Sequence, residues 1–186
     1  MYNSPYRLRH AVRILRAGGL VAHPTEGVWG LACDPLLPIA VMGLLAAKRR
    51  DPDKGLILVA DSSASLLPFL APGSNAELEQ AKATWPGPTT WLLPANPALP
   101  WWLRGAHETI AVRVSAHPVT SALCRAYGGP LVSSSANRSG HAAARHAWQA
   151  RAQLRPWLDM VLAGDLQTPG QPSVIKDVAT GATLRG

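Results

Sequence analysis

Apolar runs in this chain are short, and nearly every one is cut by proline or glycine. LVAHP stops at Pro24, TTWLLPA breaks at Pro94, and HPVTSALCRAYGG starts behind Pro118 and closes on Gly128 and Gly129. Proline fixes φ and lacks an N–H donor, while glycine frees the backbone, so 17 Pro and 16 Gly in 186 residues predict many short elements. No segment approaches the length of a membrane span. With 47% hydrophobic residues the chain can build one core without a disulfide or metal staple.

The runs alternate in character. Ser4-Pro5 followed by Leu8, Ala11, Val12 and Leu15, with a stop at Gly18-Gly19, predicts an amphipathic helix whose other face carries Arg9, Arg13 and Arg16. LVAHP and LILVA read as buried strands, LLPIAVMGLLAAKRR between them as a helix, and the stretch from Ser62 to Lys82 as a helical pair. TTWLLPA and TIAVRV are β-rich, LVSSS follows the HPVTSALCRAYGG helix as another strand, and DMVLAG, SVIKDV and ATLRG are further short strands. Strands and helices alternate without a strict βαβ repeat, internal repeat or linker. The expected fold is a single α/β domain over residues 1–186, a mixed twisted sheet flanked by helices. Trp85, Trp91, Trp101 and Trp102 are expected to pack in its core.

Charge narrows the partners. Lys and Arg outnumber acids 18 to 11, and the formal charge of +7 favours polyanionic ligands such as nucleotides or RNA; its spread along the chain points to a cationic surface or pocket, not a basic tail. Cys33 and Cys124 form no C-x-x-C pair, which fits a reducing compartment. The N-terminal segment has arginines through its apolar positions and lacks a signal peptide's continuous apolar core, so a soluble cytoplasmic protein is expected.

The common nucleotide and hydrolase signatures G-x-x-x-x-G-K-[ST], G-x-G-x-x-G and G-x-S-x-G do not occur. His23 and His117 each precede a proline, which suggests turn or capping duty. Four cations, Lys48, Arg49, Arg50 and Lys54, cluster where a helix ends, more than a helix C-terminus requires, and such a cluster can grip a polyphosphate. PTEG, from Pro24 to Gly27, follows a strand, where α/β proteins place their sites. Arg113 inside an apolar strand must be paired or face a polar cavity. A bound carboxylate or phosphate would satisfy it, and so would Glu26 or Glu108. The VSSSAN strand end has two accounts: its hydroxyls, amide and backbone N–H groups can ring an anion or sugar, or they can cap a strand-to-helix turn.

Six motifs occur in order: PTE at Pro24 to Glu26; Lys48-x-Arg50 with Lys54-Gly55-Leu56; WPGP at Trp85 to Pro88; AVRV at Ala111 to Val114; S-x-S-A-N-x-S-G at Ser133 to Gly140; and P-S-x-I-x-D at Pro172 to Asp177. As a set they resemble the YrdC/TsaC family of threonylcarbamoyl-AMP synthases, in its short bacterial form. The resemblance implies an α/β fold around a concave basic cavity, and a nucleotidyl transfer joining L-threonine, bicarbonate and ATP into threonylcarbamoyl-AMP and pyrophosphate. Magnesium would accompany the ATP. The product would pass to the tRNA threonylcarbamoyl-transfer machinery, and the cavity could also bind RNA or tRNA.

Carried over by position, Lys48 and Arg50 would be catalytic. With Lys54 they would contact the triphosphate, Thr109, Ser135 and Asn137 would lie near the nucleotide, and Arg185 would close over it. Arg113 would take the threonine carboxylate, with Thr25, Ser133 and Ser173 beside the amino acid. No residue stands out as a general base. Gly27, Val59 and Ala143 stand where long-form members have threonine, histidine and serine. The rival reading is a non-catalytic, double-stranded RNA-binding or ribosome-assembly module using the same cavity. It needs the cations but not the combination of Ser133, Ser135, Asn137 and Arg113. A carbamoyl-transfer maturation domain is disfavoured because the zinc-finger segments of such proteins are missing.

Overall fold

The computed structural model describes residues 4–168 and 170–185, with Arg185 described by its backbone alone. In chain order the strands are β1 (Val21–Pro24), β2 (Trp29–Cys33), β3 (Ile57–Ala60), β4 (Thr89–Pro94), β5 (Thr109–Val114), β6 (Leu131–Ser135), β7 (Met160–Val161), β8 (Val174–Asp177) and β9 (Thr183–Arg185). The helices are α1 (Pro5–Arg16), α2 (Pro38–Lys48), α3 (Asn75–Lys82), α4 (Trp101–Arg104), α5 (Pro118–Tyr127) and α6 (Ala147–Leu154). The strands form one mixed sheet in the order β7-β1-β2-β6-β3-β5-β4-β8-β9. Parallel pairs β1–β7, β3–β5 and β4–β8 sit among antiparallel neighbours.

Local chemistry accounts for the element ends. The Ser4 hydroxyl accepts from the Arg7 N–H at 3.3 Å and Pro5 opens α1. His117 caps α5 through Nδ1, which accepts from the Val119 N–H at 3.2 Å. That is the capping duty its Pro118 neighbour suggested. His23 has a different place: it lies fully buried inside β1. Arg9, Arg13 and Arg16 are exposed, and Arg16 donates to the Tyr127 carbonyl at 3.1 Å. Of the four tryptophans expected in the core, Trp91 is buried, Trp85 and Trp102 pack against its edge, and Trp101 is exposed.

Two cores follow from the period-two alternation of the strands. Leu31, Leu58, Val112 and Val132 point to one face and pack with Leu44 of α2 and Leu78 of α3. Val21, Ala32, Val59 and Leu131 point to the other, where Leu15 of α1 and Leu123 of α5 cover them. That second cover spans only part of its face. The uncovered remainder holds the cavity described next.

Candidate functional site

A cavity of about 420 Å³ opens on the uncovered part of the sheet. Cross-strand register explains which residues reach it. Gly30 pairs with Ser135, Ile57 with Ala111, Leu92 with Ala111, and Thr90 with Ile175. These positions, with Thr109, Arg113 and Ser133, share one face by alternation, and all but Thr90 line the cavity. Pro172 and Ser173 enter from the segment before β8.

The deep end is built around an ion pair. Arg113 is 6% exposed and its Nη1 lies 3.4 Å from Oε2 of Glu26, an ion pair with one of the two internal acids expected for this strand arginine. Glu26 Oε1 accepts from the Ser115 hydroxyl at 2.8 Å and the Ala116 N–H at 2.9 Å. Burial pushes the Glu26 carboxyl up, but Arg113 and these donors outweigh it and hold the group below its usual range. The Arg113 Nε stays buried without a partner among the described residues. Thr25 donates to the Val28 carbonyl at 2.6 Å, and Ser173 accepts from the Thr90 hydroxyl at 3.1 Å.

The cation cluster is divided. α2 ends as Arg49 takes a left-handed conformation, φ 51°, with its side chain exposed. Arg50 and Lys54 line the cavity, and Arg50 Nη2 donates to the Gly55 carbonyl at 2.9 Å. Asp51 caps the intervening turn by accepting from the Asp53 N–H at 3.0 Å. Lys48 goes elsewhere: its ammonium is buried beneath the VSSSAN segment, donating to the carbonyls of Ser135 and Asn137. Burial, with Arg50 nearby, pulls its pKa down to about 8. Lys48 therefore shapes the wall and is not among the residues lining the cavity.

That segment is neither an anion nest nor a helix cap. The N–H groups of Asn137 and Ser139 donate to the carbonyls of Ser135 and Lys48 at 2.8 and 2.7 Å, and that of Arg138 to Gln153 Oε1 at 3.3 Å. The next helix starts only at Ala147. Asn137 Nδ2 donates to the Arg138 and His141 carbonyls at 2.9 and 2.7 Å, which fixes the amide orientation. Its Oδ1 is buried beside the cavity without a partner among the described residues, an acceptor suited to a hydroxyl or amino group.

Thr25, Arg50, Lys54, Thr109, Arg113, Ser133, Ser135, Asn137 and Ser173 thus converge on one cavity. The side chain of Arg185 lies outside the described part of the chain. Ser134 pairs with Leu31, on the opposite face, although it also borders the cavity wall. Val59 is fully buried under α5, and Ala143 lines the cavity.

Arg104, His107 and His141 also line the cavity and were not anticipated. Arg104 Nη1 donates to the His107 carbonyl at 2.9 Å, leaving a buried Nε unpartnered among the described residues. The signal was Arg104-Gly105: Gly105 has φ +62° and a β-carbon there would overlap the Asp53 carbonyl, so this turn interlocks with the Pro52–Lys54 turn. The Ala106 N–H donates to the Asp53 carbonyl at 3.0 Å and the Leu56 N–H to the Leu103 carbonyl at 2.9 Å, completing the clamp. Next to the cavity residue Pro172, a β-carbon at Gly27 would overlap the Gln171 carbonyl. Hydrogen bonds from the Thr168 and Gly170 N–H groups to the Glu26 and Gly27 carbonyls, 2.7 and 2.9 Å, tie that strap down.

Comparison with known proteins gives one answer. Residues 13–185 match the Sua5/YciO/YrdC family, described as "Telomere recombination". A threonylcarbamoyl-AMP synthase of Alkalilimnicola ehrlichii is 50% identical over 184 residues, covering 97% of this chain and 95% of that one. One from Halorhodospira halophila is 48% identical with the same coverage of both chains. Among solved structures, P. abyssi Sua5 complexed with L-threonine superposes with a TM-score of 0.87 at 30% identity, over 94% of this chain and 51% of that chain. This chain therefore spans about half the length of that Sua5. E. coli YciO shares the fold, with a TM-score of 0.86 at 23% identity over 98% of this chain and 89% of that one.

Proposed function

The chain belongs to the Sua5/YciO/YrdC family, and from that footing we propose that it is a threonylcarbamoyl-AMP synthase, using L-threonine, bicarbonate and ATP. The observation that carries the reading is a cavity lined by two kinds of group: the buried Arg113 with the hydroxyls of Thr25, Ser133 and Ser173, and the less buried cations Arg50, Lys54 and Arg104. An amino acid and a nucleotide polyphosphate call for these two environments. A surface that only gripped RNA would need cations but no buried arginine beside Thr25 and Ser133, so the RNA-binding reading is not favoured.

In this reaction threonine's amine loses a proton and takes up carbon dioxide from bicarbonate to give a carbamate. A carbamate oxygen then forms a bond to the α-phosphorus of ATP as the bond to pyrophosphate breaks. The protein's part is to align two anions that repel each other and to neutralise charge on the leaving group. Arg113 would take the threonine carboxylate, with Thr25, Ser133 and Ser173 around the amino acid. Arg50 and Lys54 would meet the phosphates, joined by Arg104. Thr109, Ser135 and Asn137 would hold the nucleoside, the last through its buried Oδ1, and Arg185 would close over it. Lys48 would contribute by holding the Ser135 and Asn137 backbone in place. Among the described residues no group of three His, Cys, Asp or Glu side chains could hold a metal ion, so magnesium would travel on the polyphosphate. The product is a mixed anhydride, suited to passing its acyl group to tRNA through a separate transferase.

Pyrophosphate release from ATP, followed with threonine or bicarbonate omitted in turn, tests the assignment. Release is expected only when both are present; release indifferent to threonine would sink it.

A further inference from the structure

The mechanism makes no use of the buried His23. His23 lies fully buried in β1 directly behind Ser133, with Nε2 3.3 Å from the Ser133 hydroxyl and Nδ1 3.0 Å from the Thr120 hydroxyl. The Thr120 oxygen lies 2.8 Å from the Pro24 carbonyl. Gly30, the cross-strand partner of His23, makes the contact feasible: a β-carbon there would sit 2.8 Å from Nε2 and 2.9 Å from the Ser133 oxygen.

The direction of every bond in this row follows from its end. A carbonyl oxygen can only accept, so the Thr120 hydroxyl spends its single proton on Pro24. Thr120 can then only accept from His23, which puts the imidazole proton on Nδ1. The ring is neutral, since burial first, and then the neighbouring His117 and Arg113, pull its pKa down to about 4 against the opposing Pro24 carbonyl and Glu26. Nε2 therefore carries a lone pair, and the Ser133 hydroxyl must donate to it. From these geometries we infer that His23 is a positioning residue that sets the polarity of Ser133, so that Ser133 meets its ligand in the cavity only as a hydrogen-bond acceptor.

The consequence rests on the amino-acid pocket proposed above. An acceptor-only oxygen attracts the N–H groups of an α-amino acid and repels its carboxylate. With Arg113 on the same face, the pair would orient threonine by opposite preferences, carboxylate to Arg113 and nitrogen to Ser133.

The tautomer can be read on the unaltered chain by nitrogen-15 NMR of labelled histidine, with no substrate present. At pH 7 the expected His23 signature is a protonated Nδ1 and a bare Nε2, and a proton on Nε2 overturns the inference. Because this readout involves no turnover, it stands or falls apart from the synthase reading. In steady-state kinetics Thr120→Val removes the anchor, and the KM for threonine should rise roughly tenfold, the worth of one lost hydrogen bond, with the KM for ATP unmoved. Thr120→Ser restores the hydroxyl and should bring the KM for threonine back. Equal changes in both constants for Thr120→Val, or no recovery in Thr120→Ser, would reject the positioning role.

Discussion

Residue by residue, the site rests on buried polar groups, some paired within the protein and some, such as Asn137 Oδ1 and Arg113 Nε, without a partner among the described residues, and that makes the loss of each pairing measurable. Arg113→Met strands Glu26, which keeps only Ser115 and Ala116. The expected cost is about 3 kcal/mol of stability together with loss of threonine binding, and Glu26→Gln in the same chain should recover much of the stability but none of the binding. Chemical denaturation and threonine titration separate the two effects. His23 gives a pH signature of the opposite origin to a salt bridge. Its folded pKa is depressed from 6.5 to about 4, so the unfolded chain binds more protons in that window. Stability therefore falls as pH drops from 6.5 towards 4, by up to about 3 kcal/mol from this group. His23→Phe should lose that share of the acid slope, as equilibrium unfolding across pH would register. Among the three serines, Ser134→Ala should disturb threonine and ATP kinetics least, since Ser134 pairs with Leu31 on the other face. That the strand arginine must be paired or face a polar cavity was legible from its apolar neighbours, and it does both. The role of Lys48 was not, because a lysine at a helix end reads the same whether it faces phosphate or, as here, two carbonyls. Lys48→Met should accordingly loosen the 135–141 segment and cost about 2 kcal/mol through its two abandoned acceptors.

At the scale of elements, punctuation was the readable signal. Pro5, Pro118 and the Gly18 and Gly128 stops marked α1 and α5 correctly because caps and stops are local chemistry. β2 was missed because a strand buried at every position shows no alternation to detect. α6 escaped for the opposite reason, an eight-residue segment with only Ala150 and Leu154 buried and so little periodicity. The clamp between the Gly55 and Gly105 turns could not be read from sequence, since each glycine is explained only by the backbone opposite it. It also makes a prediction at this scale. Gly105→Ala forces a β-carbon onto a left-handed residue and into the Asp53 carbonyl, which should displace the turn bearing Lys54 and shift its neighbour Arg50. The KM for ATP should rise while that for threonine holds.

For the whole molecule, an α/β domain with a mixed sheet was legible from the succession of runs, and YciO and Sua5 share it. The strand order β7-β1-β2-β6-β3-β5-β4-β8-β9 was not, because pairing between strands a hundred residues apart leaves no local trace. That order brings Arg113 and Ser133 to one face of one sheet, and Thr25, Arg50 and Ser173 join them at the cavity from the segments next to β1, α2 and β8. A ligand that bridges such distant segments should protect them together. Hydrogen exchange with threonine and a non-hydrolysable ATP analogue is expected to slow in residues 135–143 and 168–173 and to leave the buried centre of β3 unchanged. The bare α-carbon of Gly27 carries a consequence of a historical kind. Residues 27 and 171 cannot both keep their present paths if the first acquires a side chain. A lineage that places threonine at position 27 must route the strap differently, so the two segments should change hands together in descent. Exchanging residue 27 alone between such lineages would import a collision, whereas exchanging it with residues 168–173 would carry its own clearance.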